Sequence, residues 1–224
     1  MTMQRTPLLL SRILGRGAAL DPNEEVVTLL ADGTHRQTLK ATWDRANQLA
    51  HALAGVGVKP GDRVASFMWN NYRHLELYQA VPSMGAVLHT LNIRLGPTDL
   101  EYIINHAADK VIVADEDLLP LLEPLVDKMP TVERIIICRH GEGGETSFAS
   151  TDDYEDFISG QATEYDWPEI DENAPMGLCY TSGTTGKPKG VMYTNRSTYL
   201  HTMSQAMTDA MAMSALDAVC GIQC

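Results

Sequence analysis

The residues best suited to chemistry lie in one short segment, from Tyr180 to Gly190, which reads Tyr-Thr-Ser-Gly-Thr-Thr-Gly-Lys-Pro-Lys-Gly. Glycines let the backbone turn to positive φ or come close to a ligand, and successive N–H groups of such a loop can converge on an anion. Hydroxyl groups add hydrogen-bond donors, and lysines add compact positive charge. Together these groups match the needs of a nucleotide triphosphate. The predicted phosphate-binding residues are Thr181, Ser182, Gly183, Thr184, Thr185, Gly186, Lys187, Lys189 and Gly190.

This segment is not a Walker A loop, which needs a glycine, four residues and then Gly-Lys-Ser/Thr. Thr181 stands at the first glycine position, and Pro188 follows Lys187. The apolar runs at 176–180 and 191–193 predict strand–loop–strand, whereas a Walker loop opens a helix. A Walker-type NTPase is therefore disfavoured. A flexible linker is disfavoured too, because a linker does not require Lys-Pro-Lys-Gly in fixed order between two apolar runs.

Alternating strands and helices precede the segment. Strands separated by helices imply right-handed crossovers, so the sequence predicts an α/β fold with a parallel, helix-covered sheet over about residues 40–140. A hairpin with a turn at Asp32-Gly33 is expected before it. The predicted strands are Arg63–Met68, Ala86–Leu91, Lys110–Ala114 and Arg134–Cys138. Helices are expected from Trp43 to Leu53, over Tyr72–Met84, from a Thr98-x-x-Glu101 capping box to His106, and from Asp117.

The later part of the chain is less regular. We expect a surface loop over Gly141–Ser147, a short helix over Thr151–Ser159 and a connector over 161–175. A helix is predicted from Asn195 to Met213, with a stripe of methionines packed in the core: Met203, Met207, Met211 and Met213. We divide the chain into an N-terminal α/β subdomain over 1–170 and the start of a second subdomain over 171–224. A second sheet would begin near residue 174 and be cut short.

Charge and cysteine content narrow the function classes. The net charge of −12 opposes binding to nucleic acid and to anionic membranes, so positive charge for a nucleotide must be local. No stretch approaches the length of a membrane span. Four cysteines match no disulfide framework or zinc site, and a reducing cytoplasm is the expected compartment. They are Cys138, Cys179, Cys220 and Cys224, of which Cys138 and Cys179 are expected to be buried.

The first twenty residues carry three arginines and no acid, which weakly resembles a transit peptide. The favoured alternative is an amphipathic first helix with Leu9, Ile13 and Leu20 on one side.

The segment from Tyr180 to Gly190 resembles the signature of the adenylate-forming superfamily, and within it the acyl-CoA synthetases. Similarity to fatty-acyl-CoA synthetases extends to Gly57–Asp62, Trp69–His74, Val87–Leu95 and the helix that starts at Gly96-Pro97. The resemblance implies ATP, Mg²⁺ and coenzyme A, with a carboxylic acid activated as an acyl-adenylate and then transferred to the thiol. It also implies that the loop holds the β- and γ-phosphates, that the Thr181 hydroxyl lies near Mg²⁺, and that Tyr180 packs at the strand end without doing chemistry.

Other motifs of that family have no match in these 224 residues. They are an acyl-pocket segment, a Tyr-Gly-x-Thr-Glu motif, a ribose-binding Asp, a hinge, and a lysine in a mobile C-terminal domain. We therefore expect an N-terminal portion, without confidently assigned catalytic residues, that cannot complete the reaction alone. The alternatives are a non-catalytic nucleotide-binding or interaction module and an adenylation domain that loads a carrier protein. Medium- or long-chain fatty acids are the first expectation for the substrate, with methylmercaptopropionate as the alternative. Some fatty-acyl-CoA synthetases are homodimers, so the resemblance allows a homodimer.

Overall fold

A computed structural model describes residues 5–30, 33–140, 146–181, 186–214 and 217–219. The helices are α1 (Leu10–Leu20), α2 (Leu39–Gly55), α3 (Tyr72–Ser83), α4 (Pro97–Ala107), α5 (Leu119–Leu122), α6 (Tyr154–Ile158) and α7 (Asn195–Ala206). The strands are β1 (Glu25–Leu30), β2 (Gly33–Thr38), β3 (Arg63–Phe67), β4 (Val87–Thr90), β5 (Val111–Asp115), β6 (Arg134–Cys138), β7 (Thr151–Asp153), β8 (Pro175–Thr181) and β9 (Lys189–Thr194).

Seven strands form one sheet in the order β7-β6-β5-β3-β4-β8-β9. Every neighbouring pair is parallel except β8 and β9, which form an antiparallel edge. Strands β1 and β2 pair separately as the predicted hairpin. The predicted α/β class with a helix-covered, largely parallel sheet is confirmed.

The position of β8 differs from the expectation of a second sheet near residue 174. Strand β8 pairs in parallel with β4, from Leu88 opposite Gly177 to Thr90 opposite Cys179. The strands from residue 175 onward therefore extend the main sheet, and the separate small sheet is the β1–β2 hairpin. Because β4 offers an unpaired edge, a new strand at that edge satisfies the backbone groups of both.

The central strands β3, β4, β5 and β6 are buried on both faces, as parallel strands require, whereas the edge strand β9 is exposed. Alternate residues of each strand point to opposite faces. One face, with Val64 and Val113, packs under α2 and α3, and the other, with Ala65 and Ile112, packs under α4 and α5. The sheet is thus held rigidly, and its carboxyl edge is a fixed base for loops.

The predicted capping box at Thr98 and the predicted helix start at Thr151 were wrong. Helix α4 begins at Pro97 with Gly96 as its N-cap, as the resemblance implied, so Thr98 lies inside the first turn and forms no capping box. Proline favours this position because its fixed φ is already helical and its missing N–H is not needed there. Residues Thr151–Asp153 form β7 against β6 because backbone pairing at the sheet edge is available, and α6 follows with Asp153 as its cap.

The last helix is shorter than predicted, since α7 ends at Ala206. The predicted burial of the methionine stripe is also wrong, because Met203, Met207 and Met211 are each more than half exposed. Helix α7 has one buried residue, Asn195 at its start, and no apolar face that packing could extend.

Two further predictions concern the chain's start and its cysteines. The amphipathic helix α1 is present with Leu9 and Leu10 buried, although Leu20 at its end is exposed. Cys138 is buried and Cys179 half-buried, both as free thiols, while Cys220 and Cys224 lie outside the described residues. None of the described helices is long and apolar enough to cross a membrane.

Candidate nucleotide-phosphate site

The predicted strand–loop–strand arrangement is present around the glycine-rich segment. Strand β8 ends at Thr181, β9 begins at Lys189, and these two residues are antiparallel partners. Since β8 runs parallel to β4, the loop between β8 and β9 lies at the carboxyl edge of the sheet. Open α/β sheets bind their ligands outside this edge.

The structure places five of the nine predicted binding residues. Thr181 ends β8, Lys189 and Gly190 open β9, and Gly186 and Lys187 lie on the limb that returns to β9. All five are exposed, so their hydroxyl, amide and ammonium groups face solvent. The predicted residues Ser182, Gly183, Thr184 and Thr185 lie outside the described residues.

Gly190 is packed against the aromatic ring of Tyr180, its cross-strand partner. A Cβ atom built on Gly190 would lie 3.2 Å from Cζ of Tyr180 and 3.2 Å from Cδ1 of Leu178. Real Cβ contacts are rarely this short, so glycine is required for the ring to lie across β9. The predicted packing of Tyr180 at the strand end is observed.

The ring of Tyr180 is fixed from two sides. Its hydroxyl and Nδ1 of His106 share a hydrogen bond of 2.6 Å. On the other side the ring packs at 5.2 Å, between centroids, on His89, whose Nδ1 lies 2.8 Å from a carboxylate oxygen of Asp109. His89 and Asp109 are fully buried, and burial raises the pKa of Asp109 although His89 opposes the shift. Burial, with the nearby Asp109, also raises the pKa of Tyr180.

Helix α4 contacts the returning limb as well. The ammonium group of Lys187 lies 4.8 Å from the ring centroid of Tyr102, a cation–π arrangement. A groove of about 690 Å³ separates α4 from the limb, lined by Asp99, Glu101, Tyr102, His106, Gly186 and Lys187. Sequence reasoning missed these α4 residues. The available signal was the four-residue spacing of Tyr102 and His106, which puts two rings on one helix face.

Two groups of side chains offer ligand atoms for a metal ion. The exposed Thr181 hydroxyl at the end of β8 is the kind of neutral oxygen donor that suits Mg²⁺ beside phosphates. A second group, Asp115, Asp117 and His140, has ligand atoms within 4.8 Å of one another. Asp115 already accepts from the Trp69 backbone N–H, and Asp117 from the Trp69 indole. These acids therefore fix the turn after β3.

A family model for AMP-binding enzymes matches residues 15–222. The chain belongs to the AMP-binding enzyme family. The glycine-rich segment and the seven-stranded sheet both lie within the matched range.

Curated relatives carry ligase names. A medium-chain-fatty-acid–CoA ligase of Ectopseudomonas oleovorans is 40% identical over 219 residues, 97% of this chain and 40% of the relative. A long-chain-fatty-acid–CoA ligase of Thermus thermophilus is 42% identical over 219 residues, 97% of this chain and 39% of the relative. A 3-methylmercaptopropionyl-CoA ligase of Ruegeria lacuscaerulensis is 38% identical over 222 residues, 97% of this chain and 41% of the relative. The chain thus spans about two fifths of the length of these relatives.

Solved structures agree with this assignment. An anthranilate CoA ligase in complex with anthranoyl-AMP is similar with a TM-score of 0.74 and 27% identity, over 85% of this chain and 36% of that one.

Proposed function

We propose that this chain is the phosphate-binding portion of an acyl-CoA synthetase. In this reaction a carboxylate oxygen attacks the α-phosphorus of ATP, pyrophosphate leaves, and the thiol of coenzyme A then displaces AMP from the acyl-adenylate. The observation that carries the proposal is the exposed Gly, Thr and Lys segment at the carboxyl end of β8, in a chain of the AMP-binding enzyme family. Its nine predicted residues, from Thr181 to Gly190, would hold the β- and γ-phosphates.

The role proposed for this segment is electrostatic. Negative charge accumulates on the phosphoryl oxygens as the acid attacks, and fixed donors and cations stabilise that charge. Lys187 and Lys189 are exposed, and neither forms an ion pair with a carboxylate within the described ranges, although the Lys187 ammonium group packs on the ring of Tyr102. They supply local positive charge in a chain whose net charge is −12.

Magnesium would bind with the phosphates, and Thr181 is the residue proposed beside it. A single neutral hydroxyl is not a complete ligand set, which is usual for Mg²⁺, since this ion keeps several waters and takes substrate phosphates as ligands. Bound Mg²⁺ would neutralise phosphate charge. Thr181 would orient it at the edge of β8.

We propose a medium- or long-chain fatty acid as the substrate, supported by relatives that bear these names at 40% and 42% identity. A methylmercaptopropionate ligase is the second candidate, supported by a relative at 38% identity. Thioester formation from each acid by the complete enzyme would separate the two candidates.

ATP–pyrophosphate exchange tests the chain directly. We expect the purified 224-residue chain to bind Mg-ATP but to exchange no pyrophosphate with a panel of carboxylic acids, since the later motifs have no match in it. Robust pyrophosphate exchange would refute the hypothesis that the chain cannot complete the reaction. Absence of any Mg-ATP binding would refute the phosphate-binding role.

A non-catalytic nucleotide-binding module is the second candidate function, favoured by a sheet whose central strands are covered by a core on each face. It also predicts binding without turnover. The reading frame downstream of Cys224 separates the two, because a Tyr-Gly-x-Thr-Glu motif there supports the synthetase.

Three further features stay predictions. They are a boundary near residue 170 between two subdomains, a cytoplasmic location, and, from the family resemblance, a homodimer. The free thiols of Cys138 and Cys179 support a reducing compartment. Sedimentation equilibrium would measure the oligomeric state.

A further inference from the structure

One face of α4 contacts the phosphate-binding segment at two places. Tyr102 and His106 are one helical turn apart, and their rings lie 5.3 Å from each other. His106 binds the Tyr180 hydroxyl on the strand that leads into the segment. Tyr102 lies under the ammonium group of Lys187 on the limb that leads out. The helix thus contacts the segment on both sides of its glycine-rich tip.

The groove between α4 and the segment is a poor phosphate pocket. Asp99 and Glu101 line it together with Lys187, and carboxylates repel phosphate. The contacts from α4 therefore act on the loop rather than on its ligand.

The contact at Tyr180 rests on a rigid base. The ring of His89 packs on Tyr180, and His89 and Asp109 are both fully buried. Asp109 lies two residues after the end of α4, and its backbone N–H donates to the Ile104 carbonyl of that helix. The helix, the buried pair and the strand end are therefore connected by direct contacts.

We propose that Tyr102 and His106 are positioning residues that hold the segment in the conformation that binds the triphosphate. The inference rests on the proposed function, which it deepens by assigning the residues that pre-organise the loop. Groups that are held in place before a ligand binds raise affinity, because less conformational freedom is lost on binding. His106 fixes the leading strand, and Tyr102 fixes the returning limb.

Five variants of the 224-residue chain test the assignment. Calorimetry would measure the dissociation constants of Mg-ATP and of inorganic tripolyphosphate, with the thermal midpoint recorded for each variant. His106→Leu and Tyr180→Phe should each weaken binding about threefold to tenfold, as loss of one hydrogen bond predicts. Tyr102→Leu should weaken it about twofold to fivefold. The conservative variants His106→Asn and Tyr102→Phe should restore binding to within about twofold of wild type, because they retain a polar atom and a ring respectively.

A double variant and a matched control separate a positioning role from a general effect of substitution on the structure. His106→Leu combined with Tyr180→Phe should bind no more weakly than either single variant, because both remove the same hydrogen bond. Tyr193→Phe makes the same chemical change on the exposed face of β9 and should leave the affinity unchanged.

Hydrogen exchange of the free chain provides a measurement that needs no nucleotide. Peptides covering residues 186–194 should exchange faster in His106→Leu and Tyr102→Leu than in wild type. Unchanged affinity together with unchanged exchange would overturn the inference while leaving the proposed function intact. A wild-type chain that binds neither ligand would overturn the proposed function, and exchange would then decide whether α4 holds the loop.

Discussion

The backbone of Gly190 lies against the ring of Tyr180 so closely that a Cβ atom there would meet Cζ at 3.2 Å. The contact joins the first strand residue after the loop's Lys-Pro-Lys to the last aromatic residue before it. Gly190 and Tyr180 are also cross-strand partners, so any displacement of the ring displaces the edge strand.

Replacing Gly190 with alanine should therefore destabilise the hairpin of β8 and β9. We expect a loss of about 1–3 kcal/mol in the free energy of unfolding, because an added methyl group in a packed site forces its neighbours to shift. Gly186→Ala is the matched control, since nothing lies within 4 Å of its Cβ position. Urea denaturation measures both variants, and equal losses would refute the steric account.

The buried pair of His89 and Asp109 should contribute strongly to stability. Asp109→Ala leaves the imidazole buried without its carboxylate partner, and we expect a loss of about 3 kcal/mol in the free energy of unfolding. Asp127→Ala, at an exposed position, should change it by less than about 0.5 kcal/mol. If Asp109→Ala lowers the free energy of unfolding no more than Asp127→Ala does, the His89–Asp109 pair does not provide the support on which Tyr180 packs.

His74 should make stability depend on pH. Burial lowers its pKa from 6.5 to about 4, against a hydrogen bond to the Trp69 carbonyl that favours the charged form. The Ser66 hydroxyl lies 3.0 Å from Nε2 and donates to it in the neutral ring. Because the unfolded chain binds the proton first, the stability due to His74 is present above pH 6.5 and is lost as pH falls towards 4.

The expected loss between pH 7 and pH 5 is about 2 kcal/mol. It would be measured as the difference in free energy of unfolding between wild type and His74→Gln at the two pH values. His201→Gln, at an exposed position on α7, is the control. An identical pH dependence in wild type and His74→Gln would contradict a depressed pKa.

The two lysines of the segment should supply most of its attraction for phosphate. Replacing Lys187 and Lys189 together with methionine should weaken Mg-ATP binding by about a hundredfold, since a charged hydrogen bond contributes about 1.5–3 kcal/mol. Lys59→Met is the matched control, because Lys59 is exposed in the turn before β3, at the opposite edge of the sheet. Fluorescence titration with a labelled nucleotide measures the affinity of both variants. If the double variant at Lys187 and Lys189 binds as tightly as Lys59→Met, the two lysines are excluded from the site.

The sequence was sufficient to predict features that depend on the local pattern of residues. Apolar runs on either side of Thr181 and Lys189 predicted two strands, because alternation and turn residues are local signals. Strand partners are not local. Nothing in residues 175–181 indicates that β8 pairs with β4, from which 84 residues of intervening chain separate it, and the predicted separate sheet was wrong for that reason.

Burial and side-chain partners were the other features that the sequence could not predict. The spacing of Met203, Met207 and Met211 predicted one buried face of a helix reaching Met213, yet α7 ends at Ala206 and these three residues are exposed. The glycine-rich segment was evident from its composition, whereas the contacts of Tyr102 and His106 with it required the position of α4.

The central claim is that the segment from Tyr180 to Gly190 binds the triphosphate of ATP, and amide chemical-shift mapping by NMR tests it most directly. Mg-ATP titrated into the isotopically labelled 224-residue chain should shift the amide signals of Thr181, Gly186, Lys187, Lys189 and Gly190 in a saturable manner, and inorganic tripolyphosphate should shift the same signals. Mg-ATP that leaves these signals in place, or shifts only signals elsewhere on the sheet, would contradict the account.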